Sequence, residues 1–208
     1  MTVITLASGV SDRSAVARAA AILRHGGVVA FPTDTFYGLA ADPRNDAAVS
    51  RIYEIKGRPL VAAMPLIAAS RAQADGAAVF DAAAERLAAS FWPGPLTIVL
   101  PATPAIAPAV LGGGTTVAIR VPAHEIARAL AQELGFPITS TSANRSGDAP
   151  AVTGADLARL GRDDIDLLLD AGPCPGGLPS TMVEIDAHGP RLVRAGAVAW
   201  ERVLRSLE

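Results

Sequence analysis

Apolar residues along this chain follow two rhythms. Short uninterrupted runs that stop at Pro, Gly or hydroxyl residues read as buried strands. They fall at Val3–Leu6, Val28–Phe31, Pro65–Ala69, Leu96–Leu100, Val117–Arg120, Ile138–Ser140, Ile165–Leu169, Met182–Ile185 and Leu192–Arg194. Between them the spacing lengthens to the three-and-four of an amphipathic helix. One helix is expected from an N-cap at Ser11 to His25, closed by Gly26-Gly27. A second starts at Asn45 or Asp46, puts Val49, Ile52 and Tyr53 on one face, and ends at Lys56-Gly57. Gly57 suits a left-handed helix terminus, and Pro59 keeps Arg58 out of the helix. Further helices are expected at Asp81–Ser90, at Ala123–Leu134 before Gly135, from Thr153 to Leu160, and at Ala197–Leu207. Phe91-Trp92-Pro93-Gly94-Pro95 reads as a rigid turn, Pro101–Pro108 as a proline-punctuated connection and Leu111–Thr116 as a flexible one.

Strands and helices alternate at first, and strands cluster near the end. The fold class expected is α/β: a single domain over residues 1–208, with a twisted, mixed parallel and antiparallel sheet flanked by helices. A length of 208 residues suits that size, and a chain 50% hydrophobic and 18% charged excludes long disordered stretches. The net charge of −2 excludes a protein that is basic throughout but not a local basic cleft. The one cysteine, Cys174, can form no internal disulfide. The N-terminus lacks a signal-peptide layout, and no apolar run reaches a membrane span. The expectation is a cytoplasmic protein with no membrane partner.

Three strand ends run into the same punctuation: Phe31 into Pro-Thr-Asp-Thr, Ile138 into Thr-Ser-Thr-Ser-Ala-Asn, and Leu178 into Pro-Ser-Thr. Ligands in open α/β sheets gather where loops diverge at strand ends, although such residues equally make turns and caps. Lys56 and Arg58 at a helix end suit an anion, Arg through its planar fork and Lys as a point charge; cations also simply suit a helix C-terminus. Arg120 and Arg194 each close an apolar run, as ion-pair members or ligand clamps. Gly112-Gly113-Gly114 lacks the Lys-Ser/Thr of a P-loop, and no GxGxxG follows a strand. His25, His124 and His188 show no metal spacing, and Asp163, Asp164 and Asp166 read as a turn. No metal ligands are assigned.

Seven segments in order carry a resemblance: Phe31–Leu39, Ile52–Pro59, Phe91–Thr97, Val117–Pro122, Ser140–Asn144 with Ser146-Gly147, Pro179–Thr181, and Arg194–Gly196. Over nearly its whole length the chain resembles the YrdC/TsaC family, the single-domain threonylcarbamoyladenylate synthases. The resemblance implies a YrdC-like fold with a concave, positively charged cleft. It also implies a nucleotidyltransferase that turns ATP, L-threonine and bicarbonate or CO2 into threonylcarbamoyl-AMP and pyrophosphate. That product supplies the modification of adenosine beside the anticodon in tRNAs reading ANN codons. The partners implied are the tRNA threonylcarbamoyl-transfer machinery and tRNA itself. Mg²⁺ is expected on the ATP phosphates.

The family's Lys-x-Arg and Ser-x-Asn tetrad falls on Lys56, Arg58, Ser142 and Asn144. By the same resemblance, Thr35, Arg120, Ser140 and Ser180 hold threonine, while Arg58, Thr116, Ser142 and Arg194 contact the nucleotide. Longer relatives carry a further C-terminal domain. One departure lies after Pro59, where the family's polar or basic residue, its Pro-Leu and a following His fall on Ala62, Ala63-Met64 and Ile67, so that two polar positions are apolar here. Two other readings are an RNA-binding module and a paralogue with a changed or lost synthase activity. The first sits poorly with eighteen dispersed Lys and Arg against twenty acids.

Overall fold

The computed structural model describes residues 1–6, 12–59, 63–160, 164–186 and 189–208. In chain order its elements are β1 (Thr2–Thr5), α1 (Arg13–Arg24), β2 (Val29–Phe31), β3 (Gly38–Ala40), α2 (Asp46–Lys56) and β4 (Leu66–Ile67). There follow α3 (Arg71–Ala74), α4 (Ala82–Phe91), β5 (Leu96–Pro101), α5 (Pro108–Leu111), β6 (Thr116–Arg120) and α6 (Glu125–Leu134). The rest is β7 (Ile138–Thr139), β8 (Thr141–Ser142), a 3₁₀ helix (Gly154–Leu160), β9 (Leu167–Asp170), β10 (Thr181–Asp186), β11 (Gly189–Arg194) and α7 (Trp200–Arg205). No helix of the described residues is long and apolar enough to cross a membrane.

The mixed α/β class expected from the sequence holds, but the strands divide between two sheets rather than sharing one. One sheet has the order β1-β9-β2-β3-β8 and the other β11-β10-β5-β6-β4-β7. Both mix parallel pairs (β1 with β9, β4 with β6) and antiparallel ones (β2 with β3, β5 with β6). The apparent strand Ile138–Ser140 is where the chain changes sheet. Ile138 and Thr139 pair with β4, and Thr141 and Ser142 pair with β3. Ser140, between them, donates its N–H to the Pro65 carbonyl at 2.7 Å.

Alternation along the strands feeds two apolar clusters. Ala30, Leu39, Leu66 and Leu168 face the larger one, with α2 and α4. Their neighbours Phe31, Ala40, Ile67 and Leu169 face the smaller one, with α1 and α6. Period-2 geometry sends successive side chains to opposite faces, so these strands are buried on both sides and read as unbroken apolar runs. Asp12 caps α1, its carboxylate accepting from the Ser14 and Ala15 N–H groups; Ser11, expected in that role, lies outside the described residues. Asn45 caps α2 through Ala48 N–H, and Gly57 ends that helix at φ 60°. That left-handed turn separates Lys56, the last residue of the helix, from Arg58, the first residue beyond it.

Candidate active site between the two sheets

The split of the sheets leaves a cavity of about 630 Å³ where they diverge. One wall comes from the first sheet and its loops, through Thr33, Thr35, Gly38 and Ser142; the other comes from the second sheet, through Leu66, Thr97, Arg120 and Met182. Four cations line it, Lys56, Arg58, Arg120 and Arg194, and among the described residues no carboxylate does. Of the residues singled out from the sequence, Thr35, Lys56, Arg58, Arg120, Ser140, Ser142, Asn144, Ser180 and Arg194 are brought together there. Thr116 is not. It opens β6 opposite Pro101, four residues from Arg120, and at about 3.3 Å per residue a strand carries it some ~13 Å away.

At one end of the cavity, Lys56 is 3% exposed. Its ammonium donates to the backbone carbonyls of Ser142 and Asn144, the latter at 2.9 Å, and reaches Asn144 Oδ1 at 3.4 Å. Three acceptors account for the three N–H bonds of an ammonium. Burial, and then the neighbouring charge of Arg58, push its pKa down to about 8. The Asn144 amide donates to the Arg145 and Asp148 carbonyls at 2.8 and 2.9 Å, closing the loop on itself. Within the tetrad, therefore, Lys56 and Asn144 hold the loop after β8. Arg58 and Ser142 are the other two members, and both line the cavity. The Arg58 guanidinium lies over the Tyr53 ring, 4.9 Å from its centroid.

At the other end, Arg120 Nη1 donates to Asp34 Oδ1 at 2.8 Å, and Asp34 Oδ2 accepts the Ala123 N–H at 3.3 Å. Arg194 donates to the Ser180 carbonyl through Nε (3.2 Å) and Nη2 (2.9 Å), and to Ser180 Oγ at 3.1 Å. Burial, helped by the charge of Arg120, lowers the Arg194 pKa. The loop carrying Thr35 is built on Thr33, whose hydroxyl donates to the Phe36 carbonyl at 2.7 Å and accepts the Thr35 and Phe36 N–H groups. Gly176 N–H donates to the Thr35 carbonyl at 2.7 Å, so the segment before Ser180 is tied to the same loop.

Several other sequence readings find their place away from chemistry. Cys174 is buried and its thiol is pushed up to about 11, chiefly by that burial. His25 and His124 stand at the ends of α1 and α6, while His188 and Asp163 lie outside the described residues. Among the departures after Pro59, Ala63 lines the cavity, Met64 and Ile67 are fully buried, and Ala62 lies outside the described residues. Two residues at the site give little local signal: Asp34 reads as part of a polar loop and Thr97 as part of a strand, although a hydroxyl inside an apolar run is itself a signal.

A family model described as telomere recombination, for Sua5, YciO and YrdC, matches residues 21–196. The chain belongs to the Sua5/YciO/YrdC family. It is 42% identical over 191 residues to the threonylcarbamoyl-AMP synthase of Bacillus subtilis, covering 90% of this chain and 55% of that protein. To the enzyme of the same name from Pyrococcus abyssi it is 39% identical over 186 residues, covering 89% and 55%. The structure of P. abyssi Sua5 complexed with L-threonine superposes with a TM-score of 0.93 at 36% identity, covering 99% of this chain and 61% of that one. The chain thus spans about half the length of these curated relatives.

Proposed function

We propose that this member of the Sua5/YciO/YrdC family is an L-threonylcarbamoyladenylate synthase, using L-threonine, bicarbonate or CO2, and ATP to form threonylcarbamoyl-AMP and pyrophosphate. The observation that carries the reading is a cavity lined by four cations and a ring of hydroxyls, with no acidic side chain among the described lining residues. The relatives named for this reaction, and the threonine complex of a related chain, support it.

The chemistry asks for such a site. The neutral threonine amine attacks the carbon of CO2 and gives up a proton to solvent, or attacks bicarbonate with loss of water, and the resulting carbamate oxygen attacks the α-phosphorus as pyrophosphate leaves. Carbamate and triphosphate are both anions, and their repulsion rises steeply in a medium poorer in water. Arg58 and Arg194 answer the phosphates with planar forks. Arg120 answers the amino-acid carboxylate, with Ser180, Thr35 and Ser140 fixing its orientation. Lys56 adds its charge to the same end as Arg58 but spends its hydrogen bonds on the Ser142–Asn144 loop. Catalysis is then positioning and charge stabilisation, with no covalent enzyme intermediate.

The lining offers cations and hydroxyls rather than a carboxylate set for magnesium; the ion enters as part of the MgATP substrate. The product passes to the machinery that modifies tRNA in the cytoplasm. Product analysis after incubation with ATP, Mg²⁺, bicarbonate and labelled threonine, each omitted in turn, tests the reading. Threonylcarbamoyl-AMP should form only in the complete mixture. Pyrophosphate release that ignores threonine would sink it.

A further inference from the structure

Thr97 is a buried hydroxyl at the start of β5, 2% exposed, on the cavity wall beside Ser180. Its Oγ1 lies 2.8 Å from Ser180 Oγ, and either oxygen can be the donor on distance alone. The surroundings decide. An arginine only donates, so Ser180 Oγ accepts from Arg194 Nη2 and retains one lone pair and its own proton. No other hydrogen-bond partner of Thr97 Oγ1 occurs among the described residues. If Ser180 donated to Thr97, the proton left for the cavity would be that of Thr97, set deeper in the wall at 2% exposed against 8% for Ser180 and so the harder of the two to satisfy. With Thr97 donating, both lone pairs of Ser180 are filled and its O–H is left for the cavity.

We infer that Thr97 is a positioning residue: it holds Ser180 as an obligate donor, which makes this end of the cavity selective for a carboxylate, the one carried by the amino-acid substrate. The inference rests on the synthase reading. It gives the site a polarity that a lone serine lacks, because a hydroxyl free to rotate accepts from an amide as readily as it donates to a carboxylate. Arg120, at the adjoining strand end, supplies charge; the Thr97–Ser180 pair supplies direction.

Calorimetric titration of the full chain with L-threonine and with L-threoninamide, which lacks the carboxylate, tests this. The wild-type protein should prefer L-threonine. Thr97→Val should raise the Kd for L-threonine about tenfold and leave that for threoninamide within about twofold, since Ser180, with a lone pair left unfilled, can turn its proton away and the hydrogen bond to a charged group is no longer held. Thr97→Ser should restore the preference. If Thr97→Val weakens both ligands in parallel, or Thr97→Ser fails to restore discrimination, Thr97 is structural filler and the inference falls. A wild-type protein that binds no L-threonine overturns the synthase reading itself, and this assignment with it, without reference to any variant.

Discussion

The Lys56 ammonium donates to the Asn144 carbonyl oxygen at 2.9 Å, bridging the end of α2 and the loop after β8. The Ser146 N–H returns the connection by donating to the Lys56 carbonyl, also at 2.9 Å. A helix end and a loop nearly ninety residues away in sequence (144 − 56 = 88) are thereby locked together, and both face the cavity. On the synthase reading, the lysine acts on the nucleotide mainly through the loop it holds.

That arrangement is sensitive to pH. With its pKa lowered to about 8, Lys56 is charged below that value and neutral above it. The neutral amine has at most two N–H bonds for three acceptors, and the site loses a positive charge. Affinity for a non-hydrolysable ATP analogue should fall about tenfold between pH ~7 and pH ~10. The terminal phosphate of the analogue ionises at the lower edge of this range, and the Lys56→Met curve carries that contribution without the lysine. Lys56→Met should bind the analogue weakly at every pH and show no such decline. Binding that stays flat in the wild-type protein would detach Lys56 from the nucleotide end.

Arg58 answers to a different property. Its guanidinium stacks on Tyr53, and stacking together with a planar fork is what a lysine cannot copy. Arg58→Lys, which keeps the charge, should lower the rate of threonine-dependent pyrophosphate release by about a hundredfold (roughly two bidentate contacts at 1.5–3 kcal/mol each, less what the ammonium recovers). The melting temperature should change little. A variant retaining more than half the wild-type rate would mean that point charge alone is enough.

What the sequence revealed follows from what each residue signals locally. Apolar strands buried on both faces, such as Val29–Phe31 and Leu167–Asp170, announce themselves because every position is apolar up to the terminal acid. β3 (Gly38–Ala40) was hidden because a glycine and an alanine flank its one large residue, and its pairing with β2 and β8 is a tertiary choice. The division of the sheet at Ser140 was likewise invisible, since a crossing strand and a straight one share one hydrophobic pattern. The candidate site was legible where chemistry sits at a strand or helix end, as with Arg120, Arg194, Lys56 and Arg58. It was illegible where the role depends on a partner distant in the chain, as Asp34 depends on Arg120 and Thr97 on Ser180.

Gly196 has a steric role that its neighbours define. A Cβ there would stand 2.3 Å from the Pro179 carbonyl oxygen and 2.5 Å from both Ser180 C and Thr181 N. Backbone cannot yield as a side-chain tip does, so Gly196→Ala must push the chain after β11 away from Ser180. Arg194 would lose its three contacts there. The expected result is a loss of about 1–3 kcal/mol of stability, the usual cost of overpacking, with weakened ATP and threonine binding together. A urea midpoint equal to wild type would show that the turn has room to shift.

Asp34 and Arg120 form an ion pair whose side chains are only 17% and 9% exposed. Removing one partner of a buried pair strands the other, at a cost of about 3–5 kcal/mol, and the partial exposure of Asp34 places Asp34→Asn at or below the lower end of that range. For a chain of 208 residues each kcal/mol shifts the melting temperature by about 2–4 °C, so a drop of roughly 5–10 °C is expected. The functional effect separates two roles for the carboxylate. If it only neutralised Arg120, its loss would free a cation and tighten binding of the threonine carboxylate. The Oδ2 contact to Ala123 N–H fixes the carboxylate on both oxygens, which marks it as a brace that aims Arg120 into the cavity. Threonine KM should therefore rise about tenfold in Asp34→Asn, the equivalent of one charged hydrogen bond, while the KM for ATP stays near the wild-type value. A threonine KM that falls would mean that Arg120 needs no aiming and that charge alone recruits the substrate.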